Sequence, residues 1–508
     1  MMHTSLRRRQ FLQTASALGL GAGLTSIDGL GAITPAKAED MVVGPDAVRF
    51  RPEIEPVVRW IEETPRDRVL DVAVEHLKAG LSYRDLLGGL FLAGIRNIKP
   101  RPVGFKFHAV MVINSAHLLG QSAPVGDRLL PLFWALDNFK NSQAQDVKEG
   151  DWTLNKVDEA HLPSPSQAKA AFVKAMETWD VDAADTAAAA LCRTAGAAET
   201  MEPFWRYGVR DHRNIGHKAI FSAQCWRTLQ AIGWTNAEPV LRSLAFALLD
   251  LQGDSDHAPE GPYNANLENA EKVRDGWQVG KASPEATRAL LASLRTAKPE
   301  DASAEVLKHL NDGVAPEALW DAVTLAASEM LLRNPGIVAL HAMTSANSLH
   351  YIYGASGDQT TRKLALLQAA GWMPLYRSRS NSKSNLEIDA IEAQQPEGSG
   401  EDALHSVFAA AHKSRDEAAA KAIGYFKSGG SPEPFFAVAR RLIFHKGRDS
   451  HDYKYGAAAW EEVRLASDPR WQAPLVAATL AQLPDPERPD SPLMNRARQA
   501  VGRVLGEG

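Results

Sequence analysis

Four segments of the chain share one layout, and this layout limits the fold more than any other feature of the sequence. Each segment has a histidine near the start of a helical stretch, a short break, and a second apolar stretch that contains a leucine. The histidines, called the lead histidines below, are His108, His217, His341 and His451, and the leucines are Leu129, Leu241, Leu364 and Leu475. The histidine-to-leucine separations are 21, 24, 23 and 24 residues, and successive lead histidines are 109, 124 and 110 residues apart. Helical pairs in such a series usually stack on their neighbours, so the layout predicts a helical-repeat fold.

The remainder of the chain also has the pattern of α-helices. Apolar residues recur at the helical period in many stretches, among them 68–95, 317–332 and 401–426. Alternating β-branched runs with Asn-Gly turns are absent from the sequence. We therefore predict an all-α protein: a multi-helical repeat array of helical pairs, closed or strongly curved around a central site.

Three stretches interrupt this helical pattern. Polar, Gly- and Pro-containing sequence predicts loops over 139–165 and 252–284. A third polar stretch, 376–402, predicts an exposed insertion within one long domain over 39–508.

Charge and cysteine usage exclude several classes of protein. The net charge is −5, with no basic block after the N-terminal segment, so nucleic acid is not expected to be the main partner. The two cysteines, Cys192 and Cys225, lack CxxC or CxxCH spacing. A disulfide framework, a zinc–thiolate site and a covalently attached haem are therefore not predicted.

The N-terminal segment has the features of an export signal. The stretch SLRRRQFLQTASALGLGAGL has a twin arginine, Arg8 and Arg9, followed by a mildly apolar run, and AKA at 36–38 fits a cleavage site. We predict a twin-arginine (Tat-type) signal peptide over 1–38, the Tat translocase as an export partner, and a periplasmic or exported protein. No later stretch has the ~18 apolar residues of a membrane span, so no stable span is predicted.

Equivalent positions in a closed array can point at one centre, which makes the lead histidines candidate metal ligands. Neutral imidazole is a common ligand of iron, copper and zinc, and a site of four imidazoles suits iron or copper better than structural zinc. Lys454 lies one helical turn after His451. It fits such a site as a solvated neighbour, as a neutral amine, or as a carbamate formed with CO₂. A single histidine on an amphipathic helix is, however, more often a hydrogen-bonded core residue.

The other histidines are weaker candidates. His117 and His350 each follow a lead histidine by nine residues, about 2.5 helical turns, and are therefore expected to face away from it. His212 precedes His217 by five residues and is expected either beside a site or at the surface. The remaining ones after the signal peptide are expected to be structural or exposed: His76, His161, His257, His309, His405, His412 and His445.

The four segments together resemble the questin oxidase-like family. The matching stretches are FHAVMVINSAHLLG, GHKAIFSAQ, LHAMTSANSL and HDYKYGAA. The family patterns are roughly H-x-x-H before Leu-Gly, G-H-x-x-I-H, L-H-x-x-T-x-x-x-A-L and H-x-x-K. This chain departs from them at Met111 and Phe221, where the family has a second histidine. The lead histidines and Lys454 match, so the departures leave the metal set intact and the substrate open.

The resemblance implies an all-α oxygenase with one non-haem iron ion. Its ligands would be the four lead histidines and a carboxylated Lys454. It also implies dioxygen and a hydrophobic, possibly aromatic or quinone-like, small molecule as partners. We assign catalytic supporting roles to His212 and Tyr455, with Tyr453 as an alternative to Tyr455. Further polar and aromatic candidates near the segments are Asn114, Arg213, Thr344, Trp134, Trp205, Trp226 and Tyr351.

Two rival functions follow from the same sequence. A helical-repeat binding or scaffold protein without a metal is expected if the lead histidines do not meet in space. A carbohydrate-active helical toroid would place paired Asp or Glu residues in a cleft and leave the histidines at its periphery.

Overall fold

A computed structural model describes residue 44 and residues 46–506. The predicted signal peptide, 1–38, lies outside the described residues. Within the described part, the chain forms α-helices, short 3₁₀ turns and loops, and its only β pairings are two isolated bridges, Ala47 with Asn155 and Lys281 with Val314. The prediction of an all-α protein is confirmed. None of the described helices is long and apolar enough to cross a membrane.

The first half of the chain contributes eleven α-helices to the description. They are α1 (Glu55–Glu63), α2 (Val69–Lys78), α3 (Tyr83–Asn97), α4 (His108–Met111), α5 (Ile113–Gln121), α6 (Leu130–Lys148), α7 (Ala168–Glu177), α8 (Val181–Thr194), α9 (Ala197–Gly208), α10 (His217–Ile232) and α11 (Ala237–Leu248).

The second half contributes twelve more. They are α12 (Tyr263–Lys272), α13 (Pro284–Leu294), α14 (Pro299–Asn311), α15 (Pro316–Arg333), α16 (Ile337–Ala355), α17 (Gln359–Ser380), α18 (Glu401–Lys413), α19 (Arg415–Lys427), α20 (Pro432–Lys446), α21 (Ser450–Leu465), α22 (Gln472–Thr479) and α23 (Pro492–Leu505).

Local sequence signals explain where many of these helices begin. Proline, which lacks the N–H that a first helical residue cannot use, opens α13, α14, α15, α20 and α23. Side chains cap others: Ser82 accepts a hydrogen bond from Asp85 N at the start of α3, and Asp358 accepts one from Thr361 N at the start of α17. The break between α2 and α3 contains Gly80 at φ +103°, a conformation that glycine adopts without strain.

Two of the predicted loops are wrong in part. Helix α6 continues through 139–148, and α12 lies inside 252–284. Both helices direct polar side chains inward, which hides their period from an apolar pattern. Lys140 donates to the main-chain oxygens of Ile61 and Glu62, and Asn266 donates to Gln368 Oε1 at 2.8 Å. The predicted insertion also begins later than expected, because α17 extends to Ser380.

Helix α16 is the central element for the site. It is buried along most of its length and packs against α10, α15, α17 and α21. Helices α10, α16 and α21 each carry a lead histidine, and the fourth lies in α4, which packs against α10. Each lead histidine lies in the first turns of its helix. Leu241, Leu364 and Leu475 lie in the next helix along the chain, whereas Leu129 lies at the start of α6, two helices after α4. A repeated, closed array stays a prediction.

Candidate metal centre

The four lead histidines meet at one place. Nε2 of His217 lies 3.0 Å from Nε2 of His108 and 2.9 Å from Nε2 of His341. Nε2 of His451 lies 2.9 Å from Nε2 of His108. The first three histidines have ligand atoms that all lie within 4.8 Å of one another, and His451 joins them through His108. Residues separated by up to 343 positions thus contribute to one cluster.

The imidazole rings form a closed circuit. In the order His108, His217, His341, His451, neighbouring ring centroids are 4.8, 4.4 and 5.0 Å apart, and His451 returns to His108 at 4.5 Å. The centroids of His108 and His341, across the circuit, are 6.1 Å apart. All these ring pairs are steeply inclined to one another, so the rings present nitrogen edges to a common centre instead of stacking.

The opposite ring nitrogens fix the tautomer. Nδ1 of His108 donates to Phe105 O at 2.7 Å, and Nδ1 of His217 and of His341 donate at 2.5 Å to Asn214 O and Ile337 O. A carbonyl oxygen can only accept, so in these three neutral imidazoles the proton is on Nδ1 and the lone pair is on Nε2.

The fourth histidine has a different partner. His451 Nδ1 donates to the Asp449 carboxylate at 2.5 Å, so its Nε2 is the nitrogen that faces the other three histidines. The four Nε2 atoms therefore face one another, with three separations of 2.9–3.0 Å, and those of His108, His217 and His341 carry lone pairs. This arrangement is repulsive unless a cation lies between the nitrogens, so the donor set fits a metal ion.

Burial and nearby charge keep the imidazoles neutral. Burial lowers the pKa of His108, His217 and His341 well below the usual value, because it disfavours the charged form. The positive charge of Lys454 lowers the same three pKa values further, which places this lysine close to the cluster. Neutral imidazole is the form that binds metals.

Lys454 is a buried lysine without a hydrogen-bonding partner. It is 2% exposed, and no described residue accepts a hydrogen bond from its Nζ. Burial lowers the pKa of Lys454 to about 7, against a smaller raising effect of the Asp449 charge. A large fraction of this amine is therefore neutral near pH 7.

The chain before His217 is strained in a way that aims this ligand. Asn214, Ile215 and Gly216 have φ of +59°, +47° and +78°, and the left-handed region is unfavourable for the β-branched Ile215. The conformation turns Asn214 O toward His217 Nδ1. Tyr376 Oη holds the turn by donating to Ile215 O at 3.0 Å.

Asp250 braces the turns before two ligands. Its Oδ2 accepts hydrogen bonds from Asn214 Nδ2 at 2.9 Å and from Val103 N at 3.4 Å. The second bond holds the turn before His108, where Gly104 has φ +130°. A side chain at Gly104 would lie 3.2 Å from His217 Cε1, so glycine leaves room between the two imidazoles.

The cluster is more accessible on one side than on the other. His217 and His341 are buried, whereas His108 and His451 are partly exposed. Two of the residues that accept from Nδ1 carry exposed apolar side chains: Phe105 is 74% exposed and Ile337 is 50% exposed. Two exposed apolar residues are thus tied to the cluster through their main-chain oxygens.

His212 does not join the cluster. Its ring packs against Tyr376 and Trp372, with centroids 4.6 and 5.4 Å apart, and its Nδ1 lies 3.7 Å from Glu260 Oε2. Burial lowers its pKa. The predicted catalytic role of His212 has no support from these contacts and stays a prediction.

Tyr455 is buried on α21 beside Lys454. Its hydroxyl has no hydrogen-bond partner among the described residues, and burial raises its pKa. Tyr453 also has an unpaired hydroxyl, and its ring stacks on Trp134 with centroids 4.4 Å apart. Thr344, three residues after His341, has an unpaired buried hydroxyl within the described part as well. A role for Tyr455 stays a prediction.

The other candidates have ordinary structural contacts. Asn114 donates to Gln224 Oε1 at 2.7 Å, and Arg213 pairs with Asp254 at 3.0 Å. Three of the aromatic candidates pack edge to face against one another: Trp205 with Trp226 and with Tyr351.

The two companion histidines lie apart from the cluster, as their spacing predicts. His117 Nδ1 lies 3.1 Å from Tyr83 Oη. His350 Nδ1 lies 2.8 Å from a Glu462 carboxylate oxygen, and its ring stacks on Trp320 with centroids 4.3 Å apart.

Sequence reasoning missed the residues that orient the ligands. Phe105, Asn214 and Ile337 act through main-chain oxygens, which leave no side-chain signal. Asp449, in contrast, could have been found from the sequence. Asp449 and Asp452 have the spacing of a capping box, which they form at the start of α21, two residues before His451 in the case of Asp449. Comparisons with protein-family models, with curated proteins and with solved structures found no significant match for this chain.

Proposed function

We propose that the lead histidines hold one iron ion and that the chain is an oxygenase or oxidase for a hydrophobic, possibly aromatic or quinone-like, small molecule. One observation carries the proposal: four Nε2 atoms converge, with three separations of 2.9–3.0 Å, while every Nδ1 donates to an oxygen acceptor. This is the arrangement expected of four metal-binding imidazoles with oriented rings.

The chemistry of the donor set favours iron or copper over structural zinc. Four imidazoles with no thiolate would suit iron or copper, whereas structural zinc sites prefer cysteine ligands. When bound, iron would supply the redox chemistry that dioxygen activation needs.

Lys454 would complete the donor set as a carbamate. A neutral Nζ attacks CO₂, an N–C bond forms, and one N–H proton passes to water, which leaves an anionic carboxylate. The low pKa of Lys454 supplies the neutral amine. Its Nζ has no hydrogen-bond partner among the described residues, and the neutral form avoids the cost of burying an unpaired cation.

The surroundings support an apolar substrate. Phe105 and Ile337, whose main-chain oxygens accept from His108 and His341, have exposed apolar side chains, which would favour a hydrophobic molecule near the cluster. Sequence likeness to the questin oxidase-like family at the four segments points the same way. The Tat-type signal predicted over 1–38 supports a periplasmic or exported location for the proposed enzyme.

The test is metal content. Wild type, purified without chelator or added metal, should contain about one iron per chain by plasma mass spectrometry, and His341→Ala should lose it because a quarter of the histidine set is gone. His117→Ala is the matched control, since His117 lies apart from the cluster and its variant should retain the iron.

Each alternative result assigns the chain differently. Copper or zinc in the wild type would retain the site and remove the iron oxygenase. No metal, even after anaerobic addition of Fe(II), would favour the helical binding protein. With iron present, oxygen uptake with hydroquinones and anthrones as probes should require His341.

A further inference from the structure

The four histidines are not equivalent, because one of them alone has an anionic partner. His108, His217 and His341 donate from Nδ1 to main-chain carbonyl oxygens. His451 donates to the carboxylate of Asp449 at 2.5 Å. A hydrogen bond to a charged acceptor is roughly twice as strong as one between neutral groups.

Asp449 is held in place by the helix that carries His451. The same oxygen, Oδ1, accepts from His451 N at 2.8 Å and from His451 Nδ1, so the main chain and the side chain of one residue orient one carboxylate. Asp452 completes the capping box by accepting from Asp449 N at 3.2 Å. The carboxylate is thus fixed by α21 before any metal binds.

The partly exposed position of His451 suggests that the Asp449 carboxylate does more than cap α21. His451 is at the partly exposed side of the cluster, with a side chain that is 13% exposed, whereas His217 and His341 are enclosed. A ligand at an accessible edge is the one that solvent or substrate displaces most easily. A strong second hydrogen bond opposes that displacement by fixing the ring.

We propose that Asp449 is a positioning residue that makes His451 the strongest electron donor of the four histidine ligands and lowers the reduction potential of the bound iron. The inference rests on the proposed function, since it needs a metal at the histidines. The anionic acceptor attracts the Nδ1 proton, which increases electron density at Nε2 and favours the ferric state over the ferrous state. Main-chain carbonyls, which are neutral, have this effect more weakly.

Asp449→Asn separates the charge from the geometry. Asparagine is as good a helix cap as aspartate and can still accept from His451 Nδ1, but it carries no charge. The matched control is Asp180→Asn, at the cap of α8, where the Asp180 side chain accepts from Ala183 N and no lead histidine is involved. Asp449→Ser, which retains a capping oxygen, is the second variant in case the first is poorly folded.

Two measurements follow on the iron-loaded proteins. In chelator competition, Asp449→Asn should weaken Fe(III) binding by about 10–100-fold and Fe(II) binding by less, the range typical of partners that orient a ligand. Because Fe(III) binding weakens more than Fe(II) binding, the reduction potential of iron in Asp449→Asn, measured by redox titration, should be higher than in wild type. Asp180→Asn should leave the affinities and the potential unchanged. The thermal unfolding temperatures of metal-free Asp449→Asn and metal-free Asp180→Asn should be similar, which would exclude a purely structural cause.

The opposing results are distinct. If both Asp449 variants bind iron as wild type does, at the same potential, Asp449 is only a helix cap and the inference is wrong. If the affinities for Fe(II) and Fe(III) fall equally, with no change in potential, the carboxylate orients the ring without tuning the metal, which contradicts the electronic part. If wild type itself binds no iron, the proposed function fails and the inference fails with it.

Discussion

At the scale of single residues, the lowered pKa values of the buried histidines should make the stability of the protein depend on pH. Three imidazoles, His108, His217 and His341, have a pKa far below that of a free histidine, because they are buried and face Lys454. In the unfolded chain the same side chains bind protons near pH 6.5. The unfolded state therefore binds more protons than the folded state as the pH falls through that region.

We expect the metal-free protein to lose stability as the pH falls below about 6.5. Each such histidine adds up to about 1.4 kcal/mol per pH unit to the slope of the unfolding free energy. His350 acts in the opposite direction: burial lowers its pKa, but the hydrogen bond to Glu462 and the nearby carboxylate charges together outweigh burial and raise it. Urea unfolding from pH 7.5 to 5 measures this slope. His341→Asn should reduce the slope by the amount that corresponds to about one fewer proton bound on unfolding. An identical slope in that variant would show that His341 is not buried as a neutral imidazole.

Much of the site at this scale is visible in the sequence. The lead histidines could be found because each begins a helix after a break, at a similar distance from a downstream leucine. Lys454 could be found because its helical spacing from His451 puts both on one face. The orienting oxygens of Phe105, Asn214 and Ile337 could not, because any residue has a carbonyl and only the fold decides where it points.

At the scale of elements, periodicity and capping predict most helices, and polar burial explains the errors. The apolar pattern does not predict α6 beyond 139, because Lys140 and Asp146 face inward. Asp146 accepts hydrogen bonds from Lys99 N at 3.0 Å and from Trp152 N at 2.7 Å. The turn before α10 is also hidden in the sequence. The left-handed conformations of Asn214 and Ile215 come from contacts with distant parts of the chain, so no local signal marks them.

That turn gives a prediction at the scale of elements. Gly216→Ala would place a Cβ 2.5 Å from Tyr376 Oη and 2.6 Å from Ser345 Cβ. The clash should displace α10 at His217, lower the unfolding free energy by roughly 1–3 kcal/mol for overpacking, and weaken metal binding. Urea unfolding and metal content measure both effects.

Gly253→Ala is the matched control for this substitution. Gly253 has a similar φ, +83°, but a Cβ there would have no neighbour within 4 Å among the described residues. The control should show only the cost of the left-handed conformation and should bind metal normally. Equal losses in both variants would mean that backbone conformation, not the fit between α10 and α16, is what matters at Gly216.

At the scale of the whole molecule, the cluster can form only after the chain has folded. His108 and His451 are 343 residues apart in sequence, yet their Nε2 atoms are 2.9 Å apart. The helices α4, α10, α16 and α21 must pack before all four ligands exist together. The proposed iron ion, if held by all four, would therefore be bound by packed helices. The predicted twin-arginine signal would suit such a protein, because that route exports folded chains.

Export is therefore expected to depend on Arg8 and Arg9, in a segment that the structure does not describe. In a bacterial host with a twin-arginine translocase, the double variant Arg8→Lys and Arg9→Lys should accumulate in the cytoplasm, because the pair is what the translocase reads. Immunoblots of periplasmic and cytoplasmic fractions measure this, and the retained protein should still contain iron. The control is Arg49→Lys, a single arginine outside the signal, which should be exported as wild type is. Equal export of the double variant would contradict a twin-arginine route, and with it the link between folding, iron uptake and export.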